Sequence, residues 1–165
     1  MLEGGQTLNR KVVSGLTIIL LIVLVALLFI YSQSMGSMVQ AQEETVELVS
    51  LDYNIEEVND FYWVTIDESY FTLDFTDENG NQIYAIVTQD GGDIQYYTSQ
   101  DIISHQDALS ITLSENEPTK LLQPRLGMMN NQPVWEISFK AENNTLSYYY
   151  INASNGEWIQ SIANI

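Results

Sequence analysis

The chain has 165 residues, with 22 acidic against 5 basic side chains and a net charge of −17. It has no cysteine and one histidine, His105, which excludes disulfide frameworks, thiolate metal sites and His-clustered metal sites. So few Lys and Arg residues speak against nucleic acid as a partner, because phosphate contacts depend on them.

Residues 1–11 form a short polar tail. It is followed by an uncharged run of 20 residues, Val12 to Tyr31, "VVSGLTIILLIVLVALLFIY". As a helix this run spans about 30 Å, the thickness of a bilayer's hydrocarbon core. Its polar interruptions, Ser14, Gly15 and Thr17, all lie near its start. A soluble core helix keeps a polar stripe and this run has none, so 12–31 reads as a transmembrane helix. Arg10 and Lys11 precede it and the next base is Lys120. The positive-inside rule therefore places 1–11 in the cytoplasm and the rest of the chain outside. A cleaved signal peptide is the competing reading, with Val39-Gln40-Ala41 spaced like a cleavage site. The apolar run exceeds a usual signal core and that site lies well beyond its end, which favours an uncleaved anchor.

Beyond the span, Met38, Ala41, Thr45 and Leu48 mark one stripe of a helix over 38–51 that is able to continue the membrane helix. A strand is predicted over 55–66. Phe71, Leu73 and Phe75 then alternate with Thr72, Asp74 and Thr76, which predicts a strand with one buried and one wet face. Asn79-Gly80 predicts a two-residue hairpin and Gly91-Gly92 a second turn, giving a three-stranded meander up to Ile94. Ser104, with Asp107 in the first turn, caps a helix from His105 whose apolar side is Ala108, Leu109, Ile111 and Leu113; Pro118 lies beyond its end. A strand over 121–129 follows, restricted to an edge or a bulge by Pro124. Trp135, Ile137 and Phe139 open a second meander that turns at Asn155-Gly156.

The two meanders are one pattern written twice. Shifted by 64 residues, Ser69–Ile94 lies over Pro133–Trp158 without a gap, and Phe75, Glu78, Asn79, Tyr84 and Gly92 meet identical residues. Each unit is helix plus antiparallel sheet, an α+β arrangement, with the helix as the available cover for one sheet face. The predicted units are 36–99 and 100–165, each small enough to need support from the other. In "SYYYINASNGEWIQ", Tyr148 and Tyr150 share a face with Leu146, while Tyr149 faces the other way with Ile151. These tyrosines read first as sheet residues and second as a binding platform.

Charge is uneven along the outer region. From Val12 to Thr119 there are 18 acids and no base, whereas from Lys120 to the end three acids meet three bases. A partner with a basic patch and simple solubility both fit the acidic part.

No catalytic, cofactor-binding or metal-ligating residue is expected. Asp77, Asn79 and Asn81 alternate as in a calcium loop, but Gly80 and Thr88 occupy the wrong positions for one, and a hairpin turn explains the stretch. Asp90 and Asp93 read as turn residues. His105 has no evident nucleophile beside it, and no phosphate loop or nucleophile-elbow motif occurs. Asn143 and Asn152 lie in glycosylation sequons.

A short N-terminal tail, one span and two helix-plus-sheet units ending in "PVWEISF…LSYYYINASNGEWI" resemble the TseB/YpmB-like proteins of Gram-positive bacteria. "VWEISF" followed by "YYYINASNGEWI" is also similar to the PepSY pattern, with Asn152 where an Asp is usual and Asn155-Gly156 where Thr-Gly is usual. The resemblance implies two tandem cystatin-like domains and no catalytic residues. It implies a regulator of cell wall elongation and peptidoglycan synthesis that contacts a transpeptidase of the penicillin-binding class outside the membrane. The alternative it leaves is a PepSY-like inhibitor or chaperone of an extracellular protease.

Overall fold

The apolar run and the acidic stretch after it share one helix. In the computed structural model, which describes residues 10–91 and 93–163, α1 runs unbroken over Arg10–Val49. The helix is long and apolar enough to cross a membrane, with a best-window mean hydropathy of 3.1 and none of that window buried. The tail expected to be cytoplasmic lies outside the described residues up to position 9. Residues up to Gln40 form one unit of the chain and Ala41–Ile165 the other.

The second unit starts with the last turns of α1 and holds all the strands. β1 (Ile55–Thr65), β2 (Ser69–Asp77), β3 (Gln82–Thr88) and β4 (Ile94–Thr98) form an antiparallel sheet in sequence order. Helix α2 (His105–Glu115) follows. A second antiparallel sheet is then built from β5 (Lys120–Leu121), β6 (Arg125–Met129), β7 (Gln132–Lys140), β8 (Leu146–Asn152) and β9 (Trp158–Ile162). Pro124 splits the expected 121–129 strand in two, because it cannot donate to the ladder; both pieces pair with β7. The 64-residue offset is exact for β3 with β8 and for β4 with β9.

Local chemistry sets the ends of these elements. Ser104 and Asp107 form a full capping box at the start of α2. The first hairpin has a three-residue loop rather than two. The Asp77 amide donates to the Asn81 carbonyl at 2.9 Å and Gly80 alone takes positive φ, +79°. The Asp77 carboxylate selects this form by accepting the Asn79 and Asn81 backbone amides at 2.9 and 2.8 Å. The repeat-related hairpin is closed the same way, with Asn144 at φ +63° where the first has glycine. A tight turn unanticipated from sequence, Asn130-Asn131, joins β6 to β7 with both residues at positive φ. Gly91 takes φ +73° at the next turn, and Gly92 is outside the described residues.

Packing corrects two expected stripes. On α1 the buried residues are Ala41, Thr45 and Val49, with Val46 half-buried, while Leu48 and Met38 are exposed. The sheet-facing arc is rotated toward Val46, which carries Leu48 past its edge. On α2 Thr112 takes the buried place beside Ala108, and Leu113, about 140° from Ala108, is 48% exposed.

The expected wet face of the first sheet is also buried. Its odd face (Phe61, Leu73, Phe75, Ile83, Ala85) packs on Ala41 and Val49 of α1. Its even face (Tyr62, Val64, Tyr70, Tyr84, Ile86) joins Ala108 of α2 and Leu126, Met128, Trp135, Ile137 and Ile151 of the second sheet in one core. Thr72 donates to the Leu126 carbonyl at 2.7 Å across this junction, and Asp67 accepts the Asn130 amide at 2.9 Å.

β6 approaches β1 so closely that a Cβ on Gly127 would sit 2.4 Å from Val64 Cγ1. Gly127→Ala is therefore expected to lower the unfolding free energy by about 1–3 kcal/mol through overpacking. Adding Val64→Ala should recover part of that loss, as a double-mutant cycle by chemical denaturation would measure.

Candidate functional site

The second sheet has one face in the main core and an outer face that is only partly open, with Glu136, Ser138 and Tyr150 buried and Lys140, Leu146 and Tyr148 half-buried. Alternation along β7 and β8 sends Trp135, Ile137, Phe139, Tyr149 and Ile151 inward. Glu136, Ser138 and Lys140 with Leu146, Tyr148 and Tyr150 point the other way, each opposite a partner on the same face. The neighbouring strands add Lys120 opposite Lys140, Arg125 opposite Glu136, Ile162 opposite Tyr148 and Gln160 opposite Tyr150. All three bases that follow Thr119 thus stand on one sheet face. Among the described residues, the small apolar cluster on this side gathers Met129, Val134, Tyr150, Ile66, Tyr148 and Ile159, and none of them is a helix residue.

A buried polar knot anchors the face. Glu136 is 2% exposed, accepts from the Arg125 guanidinium, and accepts from the Tyr150 hydroxyl at 3.0 Å. Burial and then the Glu136 charge push the Tyr150 phenol up from its ordinary value, so it stays a neutral donor. Tyr148 stacks beside Tyr150 with ring centroids 6.5 Å apart. The third tyrosine, Tyr149, lies in the core and its hydroxyl bonds Glu115 of α2. The expected division of the three tyrosines between two faces is what the fold shows.

Strand β9 borders this face. It carries no charged residue, and Trp158 and Ile162 are 56% and 42% exposed. Among the described residues no strand pairs with its outer side. An uncharged edge of this kind is a template for pairing with another chain.

The residues weighed from sequence for chemistry are dispersed. Asp77 is engaged by Asn79 and Asn81 as a turn residue. Asp90 and Asp93 are exposed, and Asn143 is exposed in its hairpin loop. His105 is exposed at the start of α2, its ring 6.4 Å from Trp135. A cleft of about 370 Å³ is lined by Gln82, Tyr84, Ser104 and Asp107, and His105 is not part of its lining. At that seam Asp74 is buried and accepts Gln82 at 2.9 Å and Asn59 at 3.0 Å. Burial raises the Asp74 carboxyl above its ordinary value against these donors, and burial likewise pushes Tyr84 up to about 12. Asp107 is tied to Ser104, and Asp101 to Thr98. These carboxylates close turns and caps. Among the described residues no group of three or more His, Cys, Asp or Glu is arranged to hold a metal.

Sequence parity missed the clustering of the bases. Lys120 and Arg125 are an odd number of residues apart, so a continuous strand would put them on opposite faces. The break before Arg125 resets the parity.

Comparison with known proteins gives two family matches and one structural one. Residues 44–88 match the model of the cell wall elongation regulator TseB-like domain, and residues 102–159 that of the peptidase propeptide and YPEB (PepSY) domain. The YpmB protein from Bacillus subtilis has a similar structure, with a TM-score of 0.64 at 20% identity, covering 73% of this chain and 95% of that one. No curated protein matches the chain.

Arg125→Ala leaves the buried Glu136 carboxylate with Tyr150 alone. It is expected to cost about 1–3 kcal/mol in stability. The added substitution Glu136→Gln should restore part of it, and thermal unfolding of the single and double variants checks this.

Proposed function

The chain is a TseB/YpmB-like PepSY-family protein, and from that premise we propose that it is a non-catalytic, membrane-anchored regulator of cell wall elongation acting on a transpeptidase of the penicillin-binding class. The TseB-like match over residues 44–88 carries this reading, and TseB-like and PepSY domains are generally non-catalytic. The domains proposed are an anchor at 12–31, a first cystatin-like domain over 36–99 and a second over 100–165.

One apolar helix ahead of the folded unit fits a single-pass anchor with its N-terminus in the cytoplasm. Anchoring confines the outer domains to a thin layer beside other membrane-bound wall enzymes and so raises their effective concentration there. A weak contact then suffices. The open face of the second sheet and its β9 edge supply aromatic and backbone groups of the kind such contacts use.

The second reading rests on the PepSY match over 102–159, whose description names peptidase propeptides. In that case the chain restrains or assists an extracellular protease.

Two measurements test the proposal. The chain has no cysteine, so Gln160→Cys introduces a single thiol. That thiol is expected to react with a membrane-impermeant maleimide in intact cells, on a band of uncleaved length; labelling only after lysis would sink the topology. A photo-crosslinker at position 160 is expected to capture a penicillin-binding protein, and gene deletion to change cell length or septal spacing. Normal morphology, no such capture and altered secreted protease activity would favour the second reading instead.

A further inference from the structure

Lys120 and Lys140 face each other directly across β5 and β7. Directly opposed side chains start from Cβ atoms about 4.5–5.5 Å apart, and like charges in that position repel. The chain has 22 carboxylates with which to neutralise the pair, yet among the described residues the salt bridge present is Arg125–Glu136. The Lys140 ammonium donates instead to the neutral Asn144 side chain at 3.1 Å. Lys120 is exposed and Lys140 half-buried. Two uncompensated cations side by side on so acidic a protein break a local rule at some cost in stability, a pattern associated with function.

The surroundings specify what the pair meets. Leu146 is opposite Lys140 on β8, and the adjacent row of the same face runs from Ser138 through Tyr148 to the exposed Ile162 on β9. Cationic at one corner and apolar or aromatic toward β9, this two-row patch matches a peptide that carries both carboxylates and apolar side chains. A bare anionic polymer would leave the apolar part unused.

The same face has a counterpart inside the molecule. Tyr84 and Ile86 of the first sheet are the 64-residue equivalents of Tyr148 and Tyr150, and they are buried against the second sheet. The open face is thus the position at which the first repeat already receives a neighbour.

We propose that this face binds an acidic segment of a partner protein, with Lys120 and Lys140 taking its carboxylates and Leu146, Tyr148 and Ile162 its apolar side chains. The partner being a protein rests on the regulator reading above; the recognition chemistry does not.

The test uses the full chain in detergent micelles and a labelled peptide of alternating Glu and Val residues. The Gln-for-Glu peptide and poly(glycerol phosphate) serve as competitors. The acidic peptide is expected to bind, with affinity falling as salt rises. Lys120→Gln with Lys140→Gln should weaken it about tenfold and leave the melting temperature unchanged or higher, since a repulsion is removed. Equal binding of the Gln peptide, wild-type affinity in the double variant, stronger binding of the phosphate polymer, or lysine-dependent self-association in sedimentation would each overturn the proposal. If the double variant loses the peptide but still captures the transpeptidase in cells, the inference about the partner contact falls and the regulator reading stands. If the peptide results are as expected and no transpeptidase is captured, the regulator reading falls and the acidic-segment site stands.

Discussion

The folded unit depends on how Trp135 is enclosed. It is fully buried on β7, with Tyr62 and Tyr84 of the first sheet edge-on at 6.2 Å each and its indole N–H donating to the Ile103 carbonyl at 2.9 Å. One side chain thereby joins both sheets and the segment leading into α2. An indole buries a large apolar area, and edge-to-face contacts with flanking rings add to it. Neither sheet could close its own core so fully, because each repeat has only about 60 residues and one helix. The junction also satisfies its polar groups: Thr72 with Leu126, Asp67 with Asn130 and Gln123 with Asp60 all cross from one repeat to the other. Among the described residues no buried side-chain polar atom is left without a partner.

Stacking two copies of the same motif in this way leaves the ends unequal. The first sheet is covered by α1 on its odd face and by the second repeat on its even face. The second sheet uses its odd face for the shared core, and among the described residues the smaller apolar cluster on its even face, which holds Val134, Tyr150 and Tyr148, contains no helix residue. Head-to-tail stacking always leaves such a free end, which repeat proteins make polar for solubility. Here the free end carries Lys120, Arg125 and Lys140 together with Tyr148 and Ile162. The protein's positive charge outside the N-terminal tail is thus concentrated where the stack stops.

The rest of the unit carries the negative charge, and the structure uses much of it locally. Asp77, Asp101 and Asp107 fix turns and a helix cap, and Asp67 ties two loops together. The Asn81 side chain, and then its backbone amide, hold the Asp77 carboxyl below its ordinary value, and the Thr98 amide and hydroxyl do the same for Asp101. For Asp67 burial acts in the opposite direction, and the Asn130 and Glu68 amides outweigh it. What looks from composition like an undifferentiated acidic surface is partly a set of loop fasteners, so acidity by itself says little about a partner.

Several features were legible in the amino-acid sequence because they rest on local chemistry. The apolar helix, the capping box at Ser104, the period-two strands and the interruption at Pro124 follow from side-chain chemistry or backbone restriction acting within a few residues, and the 64-residue repeat is such a local pattern met twice. Three other features were decided only by tertiary packing. The first sheet lost its wet face because the second repeat covers it, and residues such as Thr72 and Asp74 give no sign of that. The buried arcs of α1 and α2 turned away from Leu48 and Leu113 because the sheets beneath set the orientation. The basic face formed because a break in one strand reset its register against β7. Periodicity assigns a residue to one of two faces, but which face is covered, and what gathers there from distant strands, depends on contacts between residues far apart in the chain.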